Sequence, residues 1–230
     1  MSRPFSSFLL TTLLLGLVAC AEPDAPAAET EADTAAQADT AESDDGLVTA
    51  EMAASGALGV GDTAPDFALP GVDGETVQLS TLLQSGPVVL TFYRGAWCPY
   101  CNTQLRDYQE SLREIEAQGA TLVAISPQTP DSSLTVQEKN DLAFPVLSDA
   151  EGAVSDAYGL TFEVDEATRE RYAAVGVDLE QYNGTDGWKL PVPGTYVIAQ
   201  DGTIQAAFVE ADYTQRASVR QILDALALVL

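Results

Sequence analysis

One stretch of ten residues constrains this chain more than any other: Phe92-Tyr93-Arg94-Gly95-Ala96-Trp97-Cys98-Pro99-Tyr100-Cys101. The run over residues 88–93, Val-Val-Leu-Thr-Phe-Tyr, is apolar, β-branched and aromatic, and reads as a buried strand. It passes through a short loop into a helix with both cysteines in its first turn. Free N–H groups and the dipole at a helix start stabilise a thiolate there. Arg94 adds a nearby positive charge, which lowers a thiol pKa further. The i,i+3 spacing places the two sulfurs within disulfide reach across one turn. Pro99 suits a helix start, where its missing N–H has no intrahelical partner.

Downstream of the cysteines the chain has the alternation of an α/β domain. Leu105, Tyr108, Leu112 and Ile115 share one face of a helix predicted over 102–118, which Gly119 ends. A strand is predicted over 121–126, a helix over 132–140, a short strand over 144–147 and a helix over 151–158. A less regular insertion, 162–189, holds a helix over 165–174. Strands over 195–199 and 203–209 flank Asp201-Gly202, a hairpin signal that makes them antiparallel. Gly71-Val72-Asp73-Gly74 reads as a turn, and an amphipathic helix over 214–230 closes the chain. The fold class is α/β, with a central mixed sheet flanked by helices on both faces.

Composition narrows the chemistry. Acids number 35 against 10 Lys and Arg, for a net charge of −25. That excludes nucleic-acid binding, which needs cations to replace phosphate counterions, and disfavours an anionic membrane surface. The chain has no histidine and three cysteines. Ser-His-Asp and Cys-His catalysis, His-held zinc or haem, and a four-cysteine zinc site are ruled out, so no metal or other cofactor is expected. Two readings of the C-x-x-C remain, a redox-active dithiol and an inert disulfide, and the strand–loop–helix setting favours the first.

The N-terminal part has its own logic. Arg3 precedes an apolar stretch over 8–18, about 11 residues at 1.5 Å rise and too short for a ~30 Å hydrocarbon core. Residues 1–19 read as a signal peptide. Leu17-Val18-Ala19-Cys20 resembles a bacterial lipobox, which implies lipidation of Cys20; the alternative is an ordinary secretory signal with Cys20 incidental. The resemblance puts the protein in a bacterial cell envelope, facing the periplasm and touching membrane by a lipid anchor only. Ala21-Glu22 after the cysteine favours the outer membrane over the inner. Residues 20–57, rich in Ala, Glu, Asp, Thr and Pro and free of aromatics, read as a disordered acidic tether. The folded domain is expected over 58–230.

Within that domain the sequence resembles the thioredoxin superfamily, and in it the peroxiredoxin-like (alkyl hydroperoxide reductase/thiol-specific antioxidant) group. The resemblance covers about residues 60–230. It is carried by Gly61-Asp62-Thr63-Ala64-Pro65-Asp66-Phe67, by the Phe-Tyr strand with its C-x-x-C, and by Val192-Pro193-Gly194-Thr195-Tyr196-Val197-Ile198. It implies a thioredoxin-like fold and a cis Val192–Pro193 bond facing the cysteines. Two templates assign the sulfurs differently. Trp97-Cys98-Pro99-Tyr100-Cys101 resembles the thioredoxin motif, in which Cys98, the more exposed, attacks a disulfide. Matched to peroxiredoxins, Cys101 is the peroxide-attacking sulfur, Cys98 stands where the family has Thr or Ser, and Arg94 where it has Pro. Pro193 stands where the family carries its catalytic arginine.

The resemblance therefore implies a thiol peroxidase that reduces hydroperoxides through a Cys101/Cys98 dithiol–disulfide cycle. An external dithiol donor, such as a thioredoxin-like protein, would restore it. Arg94 is expected to support the thiolate. Trp97, Pro193 and Lys189 are expected near substrate or partner, with Trp188 beside them, although local packing is the alternative for Trp97 and an ordinary loop role for Trp188 and Lys189. Two other functions stay open: a tethered protein-disulfide reductase or oxidase led by Cys98, and a non-catalytic redox-sensing or binding lipoprotein.

Overall fold

The structure is a computed structural model that describes residues 46–229. The signal peptide, Cys20 and the tether up to residue 45 lie outside the described residues. The chain does not wait for residue 58 to fold. Helix α1, Ala50–Gly56, is capped by Thr49, whose hydroxyl accepts from Met52 N–H. Ala50 and Ala53 are buried, with Ala54, Ala57 and Leu58 packed beside them. The expected boundary is corrected accordingly: alanines at helical spacing form a flat face that composition alone reads as tether.

A hairpin follows, β1 Ala68–Pro70 and β2 Thr76–Gln78, joined through the expected turn at Gly71–Gly74, and then the short helix α2, Leu79–Leu82. The central sheet is built on β3, Val88–Phe92. Parallel β4, Thr121–Ser126, lies on one side of it and antiparallel β8, Gly194–Ile198, on the other. Parallel β5, Val146–Ser148, and antiparallel β9, Ile204–Val209, are the edges, giving the order β5-β4-β3-β8-β9. This is the expected mixed sheet. Asp201-Gly202 makes the β8–β9 turn, with Gly202 at φ 86° and Thr203 N–H donating to Asp201 Oδ1 at 2.9 Å.

Alternation in the strands builds two cores. Val88, Leu90 and Phe92 face one side with Val123, Ile125, Tyr196 and Ile198. Val89, Leu122, Ala124 and Val197 face the other, under α3, Pro99–Glu110, and α4, Leu112–Ala117. The single helix predicted over 102–118 is thus two. Ser111, at φ −101° and ψ 8°, breaks it, while Leu105, Tyr108, Leu112 and Ile115 all stay on the core.

The remaining connections are α5, Pro130–Lys139, and α6, Ala153–Ala157. The insertion adds a separate two-stranded sheet, β6 Thr161–Glu163 with β7 Lys189–Pro191, around α7, Glu166–Ala174, and α8, Leu179–Asn183. Asp165 caps α7 through Thr168 N–H at 2.8 Å, close to the predicted start. The last helix, α9, spans Val219–Leu226 rather than 214–230. A capping box between Ser218 and Gln221 sets its start and leaves Thr214–Ala217 as loop.

The Val192–Pro193 bond is trans, and no cis peptide occurs among the described residues. Val192 N–H donates to Leu160 O at 2.8 Å, and the chain runs on from β7 into β8. The trans form, favoured by about 0.5–1 kcal/mol even before proline, meets that path.

Candidate active site

The C-x-x-C lies at the C-terminal end of β3, the central strand. Tyr93 N–H is still paired to Ile125 O at 3.0 Å, so the loop begins from a fixed position. Gly95, at φ 154°, turns the chain where a Cβ would meet Trp97 Nε1 at 2.6 Å. Ala96 N–H donates to Gln128 Oε1 at 2.7 Å. Asn102 reaches back from α3 and donates to Ala96 O at 2.8 Å and Cys98 O at 3.0 Å. Asn140 donates to Asn102 Oδ1 at 3.1 Å. Three elements therefore tie the loop.

Cys98 is the N-cap of α3, and its Sγ accepts from Cys101 N–H at 3.4 Å. Both cysteines are free thiols. Their exposures are 1% for Cys98 and 0% for Cys101, so the expected exposed leading sulfur is absent. The cause is the cover over the loop. Tyr172 from α7 packs on Trp97 at 5.2 Å, and Tyr213 packs on Tyr100 at 5.8 Å.

Arg94 sits inside this aromatic cover, 1% exposed. Its guanidinium carbon lies 4.0 Å from the Tyr213 ring centre, 4.9 Å from Trp97 and 5.8 Å from Tyr172. It also donates to Tyr172 Oη. Arg216, from the loop before α9, places Nη2 3.5 Å from Cys101 Sγ.

These groups treat the two sulfurs oppositely. Burial pushes the Cys101 thiol up, but the hydrogen bond from Cys98, the charges of Arg216 and Arg94 and the Arg94 N–H outweigh it. The thiol is lowered to about 5. Cys98 is pushed well above its ordinary range by burial, by donating to Cys101 and by the neighbouring negative charge. The surroundings thus favour the thiolate at Cys101 and the protonated thiol at Cys98.

The structure thus brings Cys98, Cys101, Arg94 and Trp97 together. Pro193 lines a cavity of about 280 Å³ with Gln104, Thr195, Phe208 and Arg216. Lys189 is exposed on β7, opposite Glu163 in the small sheet. Trp188 serves the insertion: Arg169 covers its ring at 5.2 Å and its Nε1 donates to Glu180 at 3.1 Å. The sequence reading missed Gln128, Tyr172, Tyr213 and Arg216. No local motif marks them; Arg216 was hidden inside a predicted helix.

The model of the AhpC/TSA family matches residues 60–207. A peroxiredoxin-named protein of Mycobacterium tuberculosis strain H37Rv is 36% identical over 99 residues, which are 43% of this chain and 62% of that protein. Peroxiredoxin Bcp of Escherichia coli K12 is 35% identical over 103 residues, 45% of this chain and 65% of its own. The chain therefore spans less than two thirds of the length of these curated relatives. The crystal structure of peroxidoxin BcpB from Mycobacterium tuberculosis superposes with a TM-score of 0.59 at 26% identity, covering 75% of this chain and 99% of the other.

Proposed function

Because the chain belongs to the AhpC/TSA family, we propose that it is a thiol peroxidase whose attacking group is the Cys101 thiolate. The carrying observation is the asymmetry of the pair: Cys101 is lowered by two arginines and a thiol hydrogen bond, while Cys98 is raised. The Cys101 sulfur attacks a peroxide oxygen. An S–O bond forms, the O–O bond breaks, and the leaving oxygen takes a proton from water. Sulfur is oxidised by two electrons to the sulfenic acid. Cys98, one turn away and already directed at Cys101, attacks that sulfur; an S–S bond forms and water leaves. An external dithiol, from a thioredoxin-like donor, returns two electrons and two protons.

The burial of the pair weighs against a disulfide reductase led by Cys98, because a protein disulfide cannot reach a sulfur that is 1% exposed without opening the first turn of α3. We also propose that Cys20 anchors the domain to the envelope membrane through the acidic stretch. Cys20→Ala would then release the protein from the membrane fraction.

The test monitors peroxide loss with dithiothreitol as donor for the wild type, Cys98→Ser and Cys101→Ser. Turnover far above free cysteine is expected for the wild type. Cys101→Ser loses it, and Cys98→Ser keeps one rapid turnover. Wild-type loss no faster than free cysteine would refute the proposal.

A further inference from the structure

We propose that Arg216 and Gln104 form the hydroperoxide-docking pair of this site, supplied through the cavity between β8, β9 and the start of α9. The inference rests on Cys101 being the attacking thiolate. The resemblance expects an arginine at the place of Pro193 and a hydroxyl at the place of Cys98, and this chain has neither. Proline offers no N–H and no charge. Yet Pro193, Arg216 and Gln104 share the wall of one cavity, so an arginine reaches the same space from a different part of the chain.

The hydrogen-bond accounting points to a ligand. Arg216 directs Nη2 at Cys101 Sγ, while its Nε and Nη1 are buried with no partner among the described residues. Gln104 is 5% exposed and stands one turn after Cys101 on α3. Its Nε2 donates to Tyr108 Oη at 2.9 Å, and its Oε1 has no partner among the described residues. Buried donors and acceptors left unmade cost free energy, so such groups in one wall call for an occupant. A hydroperoxide, R–O–O–H, has two acceptor oxygens and one O–H donor. The Arg216 N–H groups complement the first and Gln104 Oε1 the second.

The pair is also fixed in place. Tyr108 Oη donates to Ala217 O at 2.9 Å, and the Ser218–Gln221 capping box holds the next residue. On its other side Gln215 N–H donates to Asp212 O at 2.9 Å, so Arg216 lies between anchored neighbours. As the O–O bond breaks, negative charge grows on the leaving oxygen, and preorganised N–H donors stabilise it. The cavity, about 280 Å³, leaves room for an R group, since a water takes about 30 Å³ of liquid.

The test uses the reduced full chain in single-turnover stopped flow with hydrogen peroxide and tert-butyl hydroperoxide. Iodoacetamide, which needs the thiolate but no peroxide docking, is the control reagent, and rates are compared at a pH above each variant's thiol midpoint. Arg216→Gln is expected to slow both peroxides by about 10²- to 10³-fold, with alkylation little changed. Gln104→Leu is expected to slow peroxide alone, by about tenfold or more. If Arg216→Gln fails to fold, Arg216→Lys, which keeps the charge but loses the fork, carries the same comparison. Peroxide and alkylation rates falling by one common factor would overturn the docking role, as would an unchanged peroxide rate in Gln104→Leu. Rapid peroxide reaction in Cys101→Ser would instead overturn the underlying reading, which keeps the two failures distinct.

Discussion

Two regions close on the Cys101 sulfur, and they are built differently. The β3–α3 loop supplies Arg94, Trp97 and both cysteines from eight consecutive residues, all held by backbone and amide ties. The β9–α9 loop supplies Arg216 from 115 residues away, with a half-buried side chain beside an open cavity. The first region holds both sulfurs and the Arg94 charge in dry surroundings, while Arg216, from the second, supplies the larger of the two arginine charges that lower Cys101. The second borders an open cavity, the route that the proposed docking role gives to a hydroperoxide. Both arginines lower Cys101, but Arg94 also fills the aromatic cover, and under the proposed docking role Arg216 would also meet the peroxide.

The largest test of that division is ionisation. With Cys101 lowered to about 5, reduced protein should hold one thiolate per chain at pH 7, against about 1% for a thiol at the ordinary value of 9.0. A depressed pKa keeps the anion above it, so thiolate absorbance near 240 nm should persist down to pH 6 and vanish as pH falls through about 5. Arg216→Gln removes a lowering charge and should move the midpoint up. Absorbance that appears only above pH 8 would break the account of both regions.

Stability should separate the arginines next. Arg94→Ala empties the space between three rings and removes the hydrogen bond that Arg94 gives Tyr172, and should cost about 3–5 kcal/mol in urea unfolding. Arg216→Ala should cost under about 1 kcal/mol. Equal costs would mean that Arg216 is also structural.

Much of the first region was legible because its determinants are contiguous. A strand run, a glycine turn, Pro99 at a helix start and the i,i+3 cysteines each act within a few residues. The Asp201-Gly202 hairpin and the Asp165 cap were legible for the same reason. Arg216 was not, since periodicity placed the start of the last helix five residues too early and only the Ser218–Gln221 cap sets it at Val219. Helix α1 was hidden by alanines that look like linker until a sheet is present to receive them. The cover over the loop that carries Cys98 comes from Tyr172 and Tyr213, which reach Trp97, Tyr100 and Arg94 only through tertiary packing, and the cis-proline expectation came from resemblance rather than from this chain's own path.

Two smaller effects sharpen the comparison. Asn102→Ala leaves Ala96 O and Cys98 O without their side-chain donor and should cost about 1–3 kcal/mol. It should also speed reduction of the oxidised protein by an external dithiol, because the first turn of α3 opens more easily. Ser218→Ala should cost about 1 kcal/mol by removing the α9 cap. Its peroxide rate should fall more than its alkylation rate, since the cap anchors the loop that carries Arg216.

The most direct measurement of the central claim is to trap the first oxidised sulfur. Reduced Cys98→Ser and Cys101→Ser would each receive one equivalent of hydrogen peroxide with dimedone present, followed by peptide mass spectrometry. The account predicts rapid labelling of Cys101, approaching one adduct per chain, in Cys98→Ser and almost none in Cys101→Ser. Rapid labelling of Cys98 in Cys101→Ser, with Cys101 left reduced in Cys98→Ser, would contradict it.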